Sequence, residues 1–191
     1  DRTRVDVFFP HVANGELRTA RSDYLGDRPA LRAAGLLVGG KVVRADDRSD
    51  LALIELDSLP PTARALPLAA DPPPPGTRFV AVGNRHDADT VWNVSVGRVR
   101  QTGPLADGYF WQGKKLAGGA AAVLAQLPVG DGDSGGPAVD GAGRVVGVVT
   151  AVRTRAPAAG VLVASSEVAK LLADARPLAG APPDAGPSVY D

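Results

Sequence analysis

Turn-forming residues interrupt this chain about every ten residues, and this spacing constrains its fold more than any other feature. The 191 residues include 23 glycines and 17 prolines, and short runs rich in Val, Leu and Ala lie between them. Such runs are typical of short strands, which we predict at residues 5–10, 41–44, 51–56, 78–82, 91–100, 121–127, 144–152 and 160–164. This pattern predicts an all-β barrel or sandwich.

One segment near the end of the chain has the pattern of a helix. Apolar residues at positions 168, 171 and 172 recur at helical spacing, and Ser165 and Ser166 precede them as candidate caps. The prediction is a helix that ends at Arg176 and Pro177. Residues 177–191 are rich in Pro, Ala and Gly, a composition typical of a tail or linker.

A stiff proline run divides the predicted strands into two groups. Residues 71–76 have the sequence DPPPPG, which is a suitable connector between two lobes. We therefore expect an N-terminal β unit over residues 1–70 and a C-terminal β unit with the terminal helix over residues 71–176.

Composition excludes several classes of function. Lys and Arg together number 21, as do Asp and Glu, so the chain lacks the basic surplus of a nucleic-acid-binding protein. There is no cysteine, and His11 and His86 are the two histidines, so we expect no disulfide, metal or cofactor. No apolar run approaches the roughly 18 residues of a membrane span. The absence of Met leads us to expect that residues preceding Asp1 have been removed.

The strongest chemical signal is the segment at residues 132–137, GDSGGP. A serine hydroxyl becomes an effective nucleophile when its position is fixed and a base removes its proton. The glycines allow a tight turn that can aim the amides of Gly132 and Ser134 at one point, where they would stabilise an oxyanion. We predict Ser134 as the nucleophile.

Two alternatives apply to the same segment. Gly and Ser are also ordinary residues of a surface turn. The glycines at 130, 132 and 135 match a dinucleotide-binding fingerprint, but Pro137 and a strand follow where that fingerprint needs a helix.

An acidic residue stands directly before one of the apolar strands. Asp50 precedes residues 51–56, LALIEL, and a carboxylate in this place could orient and stabilise a catalytic histidine. An aspartate that caps a turn at the start of a strand is the alternative, and this segment alone does not decide between them.

Together these segments resemble the trypsin-like serine proteases, particularly the bacterial HtrA/Deg branch. The resemblance rests on DLALI at residues 50–54 and GDSGGP, with further matches in AVGN at residues 81–84, GVVTAV at 147–152 and GVLVA at 160–164. It spans roughly residues 5–173. It implies a chymotrypsin-like double β-barrel whose first barrel is incomplete, followed by a C-terminal helix. It also implies Asp50 and Ser134 as triad members and the amides of Gly132 and Ser134 as the oxyanion hole.

The family's histidine is not at its usual place. In the family it follows a strand that precedes the one resembling residues 5–9, so we expect it upstream of residue 1. His11, which lies before a predicted hairpin turn at Asn14 and Gly15, is the alternative general base. His86, in a polar loop after Asp50, is a weaker candidate than His11.

The resemblance also indicates a substrate pocket beside the nucleophile. One wall would be the stretch before the serine, including Pro128, and the other would be the following strand with Thr150, Ala151 and Val152. Pro128 stands where a carboxylate for Lys or Arg substrates would be, and Val152 narrows the pocket. A small or medium apolar residue before the cleaved bond is therefore expected.

The function predicted from these observations is hydrolysis of polypeptides by a serine endopeptidase domain. A non-catalytic relative that binds peptides in the same cleft is the alternative, and a hydrolase of small esters is another. By the family resemblance alone, an extracytoplasmic or periplasmic location is favoured. The sequence leaves the oligomeric state open.

Overall fold

The computed structural model describes residues 3–104, 110–111, 114–115, 119–153 and 159–174. The elements in chain order are β1 (Arg4–Phe8), β2 (Val12–Ala13), β3 (Glu16–Leu17), α1 (Ser22–Leu25), α2 (Arg28–Ala33), β4 (Leu37–Asp46), β5 (Leu51–Leu56), β6 (Arg78–Gly83), β7 (Asn93–Pro104), β8 (Phe110–Trp111), β9 (Lys114–Lys115), β10 (Ala121–Gln126), β11 (Pro137–Asp140), β12 (Val145–Arg153), β13 (Ala159–Ala164) and α3 (Ser165–Ala173). Strands dominate, as the spacing of turn residues predicts.

The N-terminal part contains an open antiparallel sheet in the order β1-β4-β5. Phe8 of β1 pairs with Leu37 at the beginning of β4, and Asp46 at the end of β4 pairs with Leu51 of β5. The β4–β5 turn, which carries Asp50, therefore lies at the end of β4 opposite to Leu37.

The C-terminal part is a closed barrel in the strand order β10-β13-β12-β11-β6-β7. All of its neighbouring strands run antiparallel. Alternate residues of the strands point inward, which is the period expected for a barrel that buries one face of its sheet. The packed interior consists mainly of Ala69, Phe79, Ala81, Val99, Val123, Ala125, Leu127, Ala138, Val146, Val149, Leu162 and Ala164.

The segment between the two parts is packed against the barrel. The amide of Ala69 donates to the carbonyl of Val145 in β12 at 2.9 Å. The hydroxyl of buried Ser165 donates to the carbonyl of Ala69 at 2.8 Å. The segment at Ala69, just before the proline run, is therefore held by both β12 and α3.

The predicted helix exists, but the predicted cap does not. The N-cap of α3 is Ala164, which makes no side-chain capping bond. The Ser165 hydroxyl bonds to the Ala69 carbonyl instead, because a buried hydroxyl needs a partner and the connector supplies one. The predicted end of the helix at Arg176 and Pro177, like the predicted tail at residues 177–191, lies outside the described residues.

Two short helices, α1 and α2, were not predicted. The carboxylate of Asp27 caps α2 by accepting a hydrogen bond from the amide of Ala30 at 3.0 Å. Neither helix is long enough to show an apolar repeat, so the sequence pattern misses them. They form a small second core around Tyr24, Leu31 and Leu37. None of the described helices is both long and apolar enough to cross a membrane.

Candidate active site

Ser134 lies in the loop that joins β10 to β11. Two backbone hydrogen bonds with β12 hold this loop: Gly135 donates to Val149 at 2.8 Å, and Val149 donates to Gly136 at 2.9 Å. Ser134 itself is exposed. Its backbone is thus fixed by a strand of the barrel while its side chain faces solvent.

Steric limits explain two of the glycines around Ser134. Gly132 has a φ of +98°, a conformation that disfavours any side chain. A Cβ on Gly132 would collide with the carbonyl oxygen of Asn84, and one on Gly136 would collide with that of Val82. The backbone at the end of β6 therefore shapes the loop from outside.

The amides of this loop divide into engaged and unengaged groups. Asp133 donates to the Gly130 carbonyl at 3.2 Å, and Gly136 donates to the Asp133 carbonyl at 3.0 Å. Within the described parts of the chain, the amides of Gly132 and Ser134 donate to no acceptor. The two amides predicted to form the oxyanion hole are therefore both unengaged among the described residues.

The buried carboxylate of Asp133 stabilises the loop that carries Ser134. Asp133 is 5% exposed, and one of its oxygens accepts a hydrogen bond from the amide of Gly130 at 2.9 Å. The other oxygen packs so closely on Gly83 that a Cβ there would collide with it. Asp133 thus closes the turn that precedes Ser134.

Thr150 of β12 connects Ser134 with Asp50. Its hydroxyl donates to the Asp50 carboxylate at 2.5 Å, and its backbone carbonyl accepts a hydrogen bond from the Ser134 hydroxyl at 3.2 Å. Thr150 is 2% exposed, whereas Asp50 and Ser134 are both exposed. The two residues singled out from the sequence, 84 positions apart in the chain, therefore both bond to one buried threonine.

A β-bulge gives Thr150 this double role. Val149 pairs with Leu162 and Ala151 with Val161, so Thr150 is the extra residue between consecutive pairs of the β12–β13 ladder. The extra residue of a bulge leaves the ladder and re-aims its groups. The Thr150 carbonyl is thereby directed to the Ser134 hydroxyl.

The turn that carries Asp50 is held by its own side chains. Asp46 accepts hydrogen bonds from the Arg48 amide at 3.0 Å and from the Ser49 hydroxyl at 2.7 Å. The Ser49 bond contributes most to keeping the pKa of Asp46 below its usual value. Asp50 follows with a φ of +55°, which aspartate tolerates better than most residues.

The structure places His11 away from Asp50. His11 follows β1, whose last residue pairs with the first residue of β4, whereas Asp50 lies beyond the other end of β4. A ten-residue strand such as β4 extends roughly 30 Å. The amide of His11 donates to the Tyr24 hydroxyl at 3.0 Å, and its buried Nδ1 has no hydrogen-bond partner in the described structure.

His86 lies beside the loop that carries Ser134, at Asp131 and Gly132. Its amide donates to the carbonyl of Asp131 at 2.8 Å. A Cβ on Gly132 would be 2.9 Å from Cδ2 of its ring. Among the described residues, neither His86 nor His11 donates or accepts a side-chain hydrogen bond with Ser134 or Asp50.

A family comparison agrees with this geometry. The model of the trypsin-like peptidase domain matches residues 11–148, which is more than half of the chain. The chain belongs to the trypsin-like peptidase family. No curated protein matches the chain.

Solved structures of proteases share the fold. The inactive form of a serine-to-alanine mutant of the M. tuberculosis protease Rv3671c is 26% identical, with a TM-score of 0.60 over 74% of this chain and 66% of that one. The HtrA-type protease AlgW, solved with a decapeptide, is 21% identical, with a TM-score of 0.56 over 72% of this chain and 40% of that one. A serine endoprotease from Yersinia pestis is 18% identical, with a TM-score of 0.57 over 90% of this chain and 53% of that one. The predicted chymotrypsin-like fold and the resemblance to the trypsin-like serine proteases are confirmed, and the HtrA-type protease AlgW shares the fold.

Two of the residues predicted to line the substrate pocket, Pro128 and Thr150, have described side chains. Pro128 is exposed and borders an open groove of about 420 Å³ that also contacts Arg78, Val96 and Arg98. The Thr150 side chain is directed to Asp50. The backbones of residues 151 and 152 belong to β12, but the side chains of Ala151 and Val152 lie outside the described residues.

Sequence reasoning identified Thr150 only as a pocket residue, although the structure gives it contacts with Asp50 and Ser134. The signal that could have indicated this contact is a hydroxyl residue inside an otherwise apolar strand, since buried hydroxyls need partners. No group of three or more potential metal ligands occurs among the described residues.

We predict that Gly132→Ala destabilises the domain more than Gly143→Ala. Both glycines have positive φ, at +98° and +77°. A Cβ on Gly132 meets the Asn84 carbonyl, whereas one on Gly143 meets nothing within 4 Å. Both variants incur the cost of about 1–2 kcal/mol for placing a side chain in the left-handed region, and the steric collision adds to it at Gly132 alone. Urea denaturation measures the difference, and equal losses in the two variants would show that the contact with Asn84 does not constrain the loop.

Proposed function

We propose that this chain is part of a serine endopeptidase that cleaves polypeptides through an acyl-enzyme. Ser134 is the nucleophile, Asp50 orients the histidine, and the amides of Gly132 and Ser134 form the oxyanion hole. The contact of Thr150 with both Asp50 and Ser134 is the observation that carries the proposal. The general base is a histidine upstream of residue 1.

The proposed reaction begins when the histidine removes the proton of the Ser134 hydroxyl. The serine oxygen then forms a bond with the substrate carbonyl carbon, and the carbonyl oxygen becomes an anion that accepts hydrogen bonds from Gly132 and Ser134. The imidazolium, stabilised by Asp50, returns the proton to the leaving amine as the peptide bond breaks. Water, deprotonated by the same histidine, then hydrolyses the acyl-enzyme.

In the absence of a base, the Ser134 hydroxyl has a hydrogen-bond acceptor within the site. The hydroxyl donates to the carbonyl of Thr150, and rotation about the Cβ–Oγ bond would release this proton for transfer to a base. Asp50 uses one carboxylate oxygen for Thr150, and its other oxygen accepts no hydrogen bond within the described residues. That free oxygen is the acceptor we assign to the histidine N–H.

Polypeptide is the proposed substrate class. AlgW, which has the same fold, was solved with a decapeptide, and peptide cleavage is the chemistry that the resemblance implies. A non-catalytic peptide-binding domain would need the cleft but not the serine hydroxyl. The retained Ser134, with its backbone fixed and its side chain exposed, favours the enzyme.

A serine-directed fluorophosphonate tests the nucleophile. We expect it to label the full-length protein and to lose this labelling in Ser134→Ala, because that hydroxyl forms the covalent bond. Ser58→Ala is the matched control, since Ser58 is exposed in a loop after β5 and should leave labelling unchanged. Mass spectrometry of the labelled peptide identifies the site. Labelling that survives in Ser134→Ala would refute the assignment.

The 191-residue chain alone should have little or no activity. Without the proposed upstream histidine, the Ser134 proton has no positioned acceptor. It should also be of low stability, because β1 and β5 are the edges of the described N-terminal sheet. Casein turnover and thermal unfolding measure the two properties. Turnover by this chain that is lost in His11→Ala would instead identify His11 as the base.

We predict cleavage after small or medium apolar residues such as Ala or Val. A pocket for Lys or Arg needs a buried carboxylate, because a desolvated cation must be paired, and Pro128 occupies the corresponding place by resemblance. Each methylene gained or lost should change discrimination by about 1–3 kcal/mol, so the preference should be graded. Profiling the full-length enzyme on a peptide library measures it, and dominant cleavage after Lys, Arg or Phe would contradict the prediction.

A further inference from the structure

A buried carboxylate outside the proposed triad connects α3 to the turn that carries Asp50. Glu167, in the first turn of α3, is 2% exposed. One of its oxygens accepts hydrogen bonds from the Ala121 amide at 3.1 Å and from the Lys170 ammonium at 2.9 Å. The other accepts a hydrogen bond from the Arg48 guanidinium at 3.1 Å. A carboxylate is costly to bury unless it is paired in this way.

The partners keep Glu167 ionised despite its burial. Burial raises the pKa of the Glu167 carboxyl, but the Lys170 and Ala121 hydrogen bonds and the charges of Lys170 and Arg48 offset this effect. The pKa is therefore below its usual value. Arg48 thus contacts a fixed negative charge rather than a neutral acid.

Arg48 is two residues before Asp50, within the turn that sets the direction of the Asp50 carboxylate. On one side, Asp46 holds this turn through the Arg48 amide and the Ser49 hydroxyl. On the other, the Asp50 carboxylate is held by Thr150. The Arg48 side chain is the link from the turn to the C-terminal helix, 119 residues away in the chain.

The same hairpin has a second contact with the same helix that provides a comparison. Arg44 donates to the Asp174 carbonyl at 2.8 Å and to its carboxylate at 3.1 Å. This pair is exposed on both sides and lies on the body of β4, six residues before Asp50. The Arg44–Asp174 pair therefore joins the β4–β5 hairpin to the C-terminal end of α3 without involving the turn that carries Asp50.

We propose that Glu167 is a positioning residue for the proposed triad, acting through Arg48 to hold Asp50 where it can orient the histidine. The inference rests on the proposed function, and it makes α3 part of the catalytic machinery. Catalytic groups lose rate steeply when displaced, by about 100-fold for a 1 Å error. Loss of the Glu167–Arg48 contact should therefore lower the rate at which Ser134 reacts with a fluorophosphonate, without weakening the binding of that probe.

The test compares fluorophosphonate labelling kinetics of the full-length protein and its variants. Arg48→Ala is the main variant, because Glu167 then retains Lys170 and Ala121 as partners and the fold is preserved better than in Glu167→Gln. We expect the maximal labelling rate of Arg48→Ala to fall at least about tenfold while the half-saturating probe concentration stays within twofold. Arg48→Lys, which restores a cation opposite Glu167, should recover part of the rate. Arg44→Ala, the matched control, should label like the wild type.

The outcomes separate this inference from the function on which it rests. If the wild type is labelled at Ser134 and Arg48→Ala labels as fast as Arg44→Ala, the positioning role is refuted and the proposed function stands. Equal slowing in Arg48→Ala and Arg44→Ala would assign the effect to general attachment of the helix and also refute it. Absence of Ser134 labelling in the wild type would refute both.

Discussion

The arrangement of the candidate site depends on one buried residue, Thr150. Its hydroxyl serves Asp50, which belongs to the N-terminal sheet, and its carbonyl serves Ser134, which belongs to the barrel. A buried hydroxyl or carbonyl left without a partner costs about 1–3 kcal/mol. The structure therefore favours the geometry in which both contacts form at once, and this keeps the two proposed triad members within hydrogen-bond distance of the same residue of β12.

Backbone contacts with the end of β6 and the residue after it support the loop that carries Ser134. Val82 and Asn84 at the end of β6 restrict the loop at Gly136 and Gly132, and the Asn84 amide donates to the Gly132 carbonyl at 3.4 Å. Arg21, from the N-terminal part, donates to the carbonyls of Arg85 and Ala88 just after this point. The two unengaged amides are thus held in place before any ligand arrives, which is the condition for effective electrostatic stabilisation.

How far the sequence predicts this site depends on the range of each interaction. Ser134 could be singled out as a candidate from its immediate neighbours, whereas Asp50 became a candidate through the family resemblance, because its own segment left two interpretations open. The Thr150–Asp50 and Arg48–Glu167 contacts span 100 and 119 residues, and no local pattern encodes them. Ser165 shows that a distant contact can also override a local pattern. The sequence predicts that its hydroxyl caps the helix, but the hydroxyl donates to the carbonyl of Ala69 instead.

The same distinction applies to the fold. Strand positions followed from turn residues and apolar runs, since both are local. The short helices α1 and α2 lacked a repeat, and their place is fixed instead by Tyr24, whose hydroxyl accepts a hydrogen bond from the Trp92 indole at 2.8 Å. Trp92 itself has a φ of +60°, a conformation uncommon for a bulky residue, and its amide donates to the Asn84 side chain at 2.8 Å. Through Trp92, the helix α1 is thereby connected to Asn84, which restricts the loop that carries Ser134.

The contacts that organise the candidate site do not depend on the proposed general base. The loop that carries the proposed oxyanion donors and the Asp50 carboxylate are held by hydrogen bonds among the described residues, none of which involves a histidine side chain. Oxyanion donors and substrate binding retain a rate advantage of about 10³–10⁴ over water even when a triad member is lost. Because the scaffold is organised independently of the base, a protease and a peptide-binding relative could share every feature of this cleft, and the chemistry of the Ser134 hydroxyl is what distinguishes them.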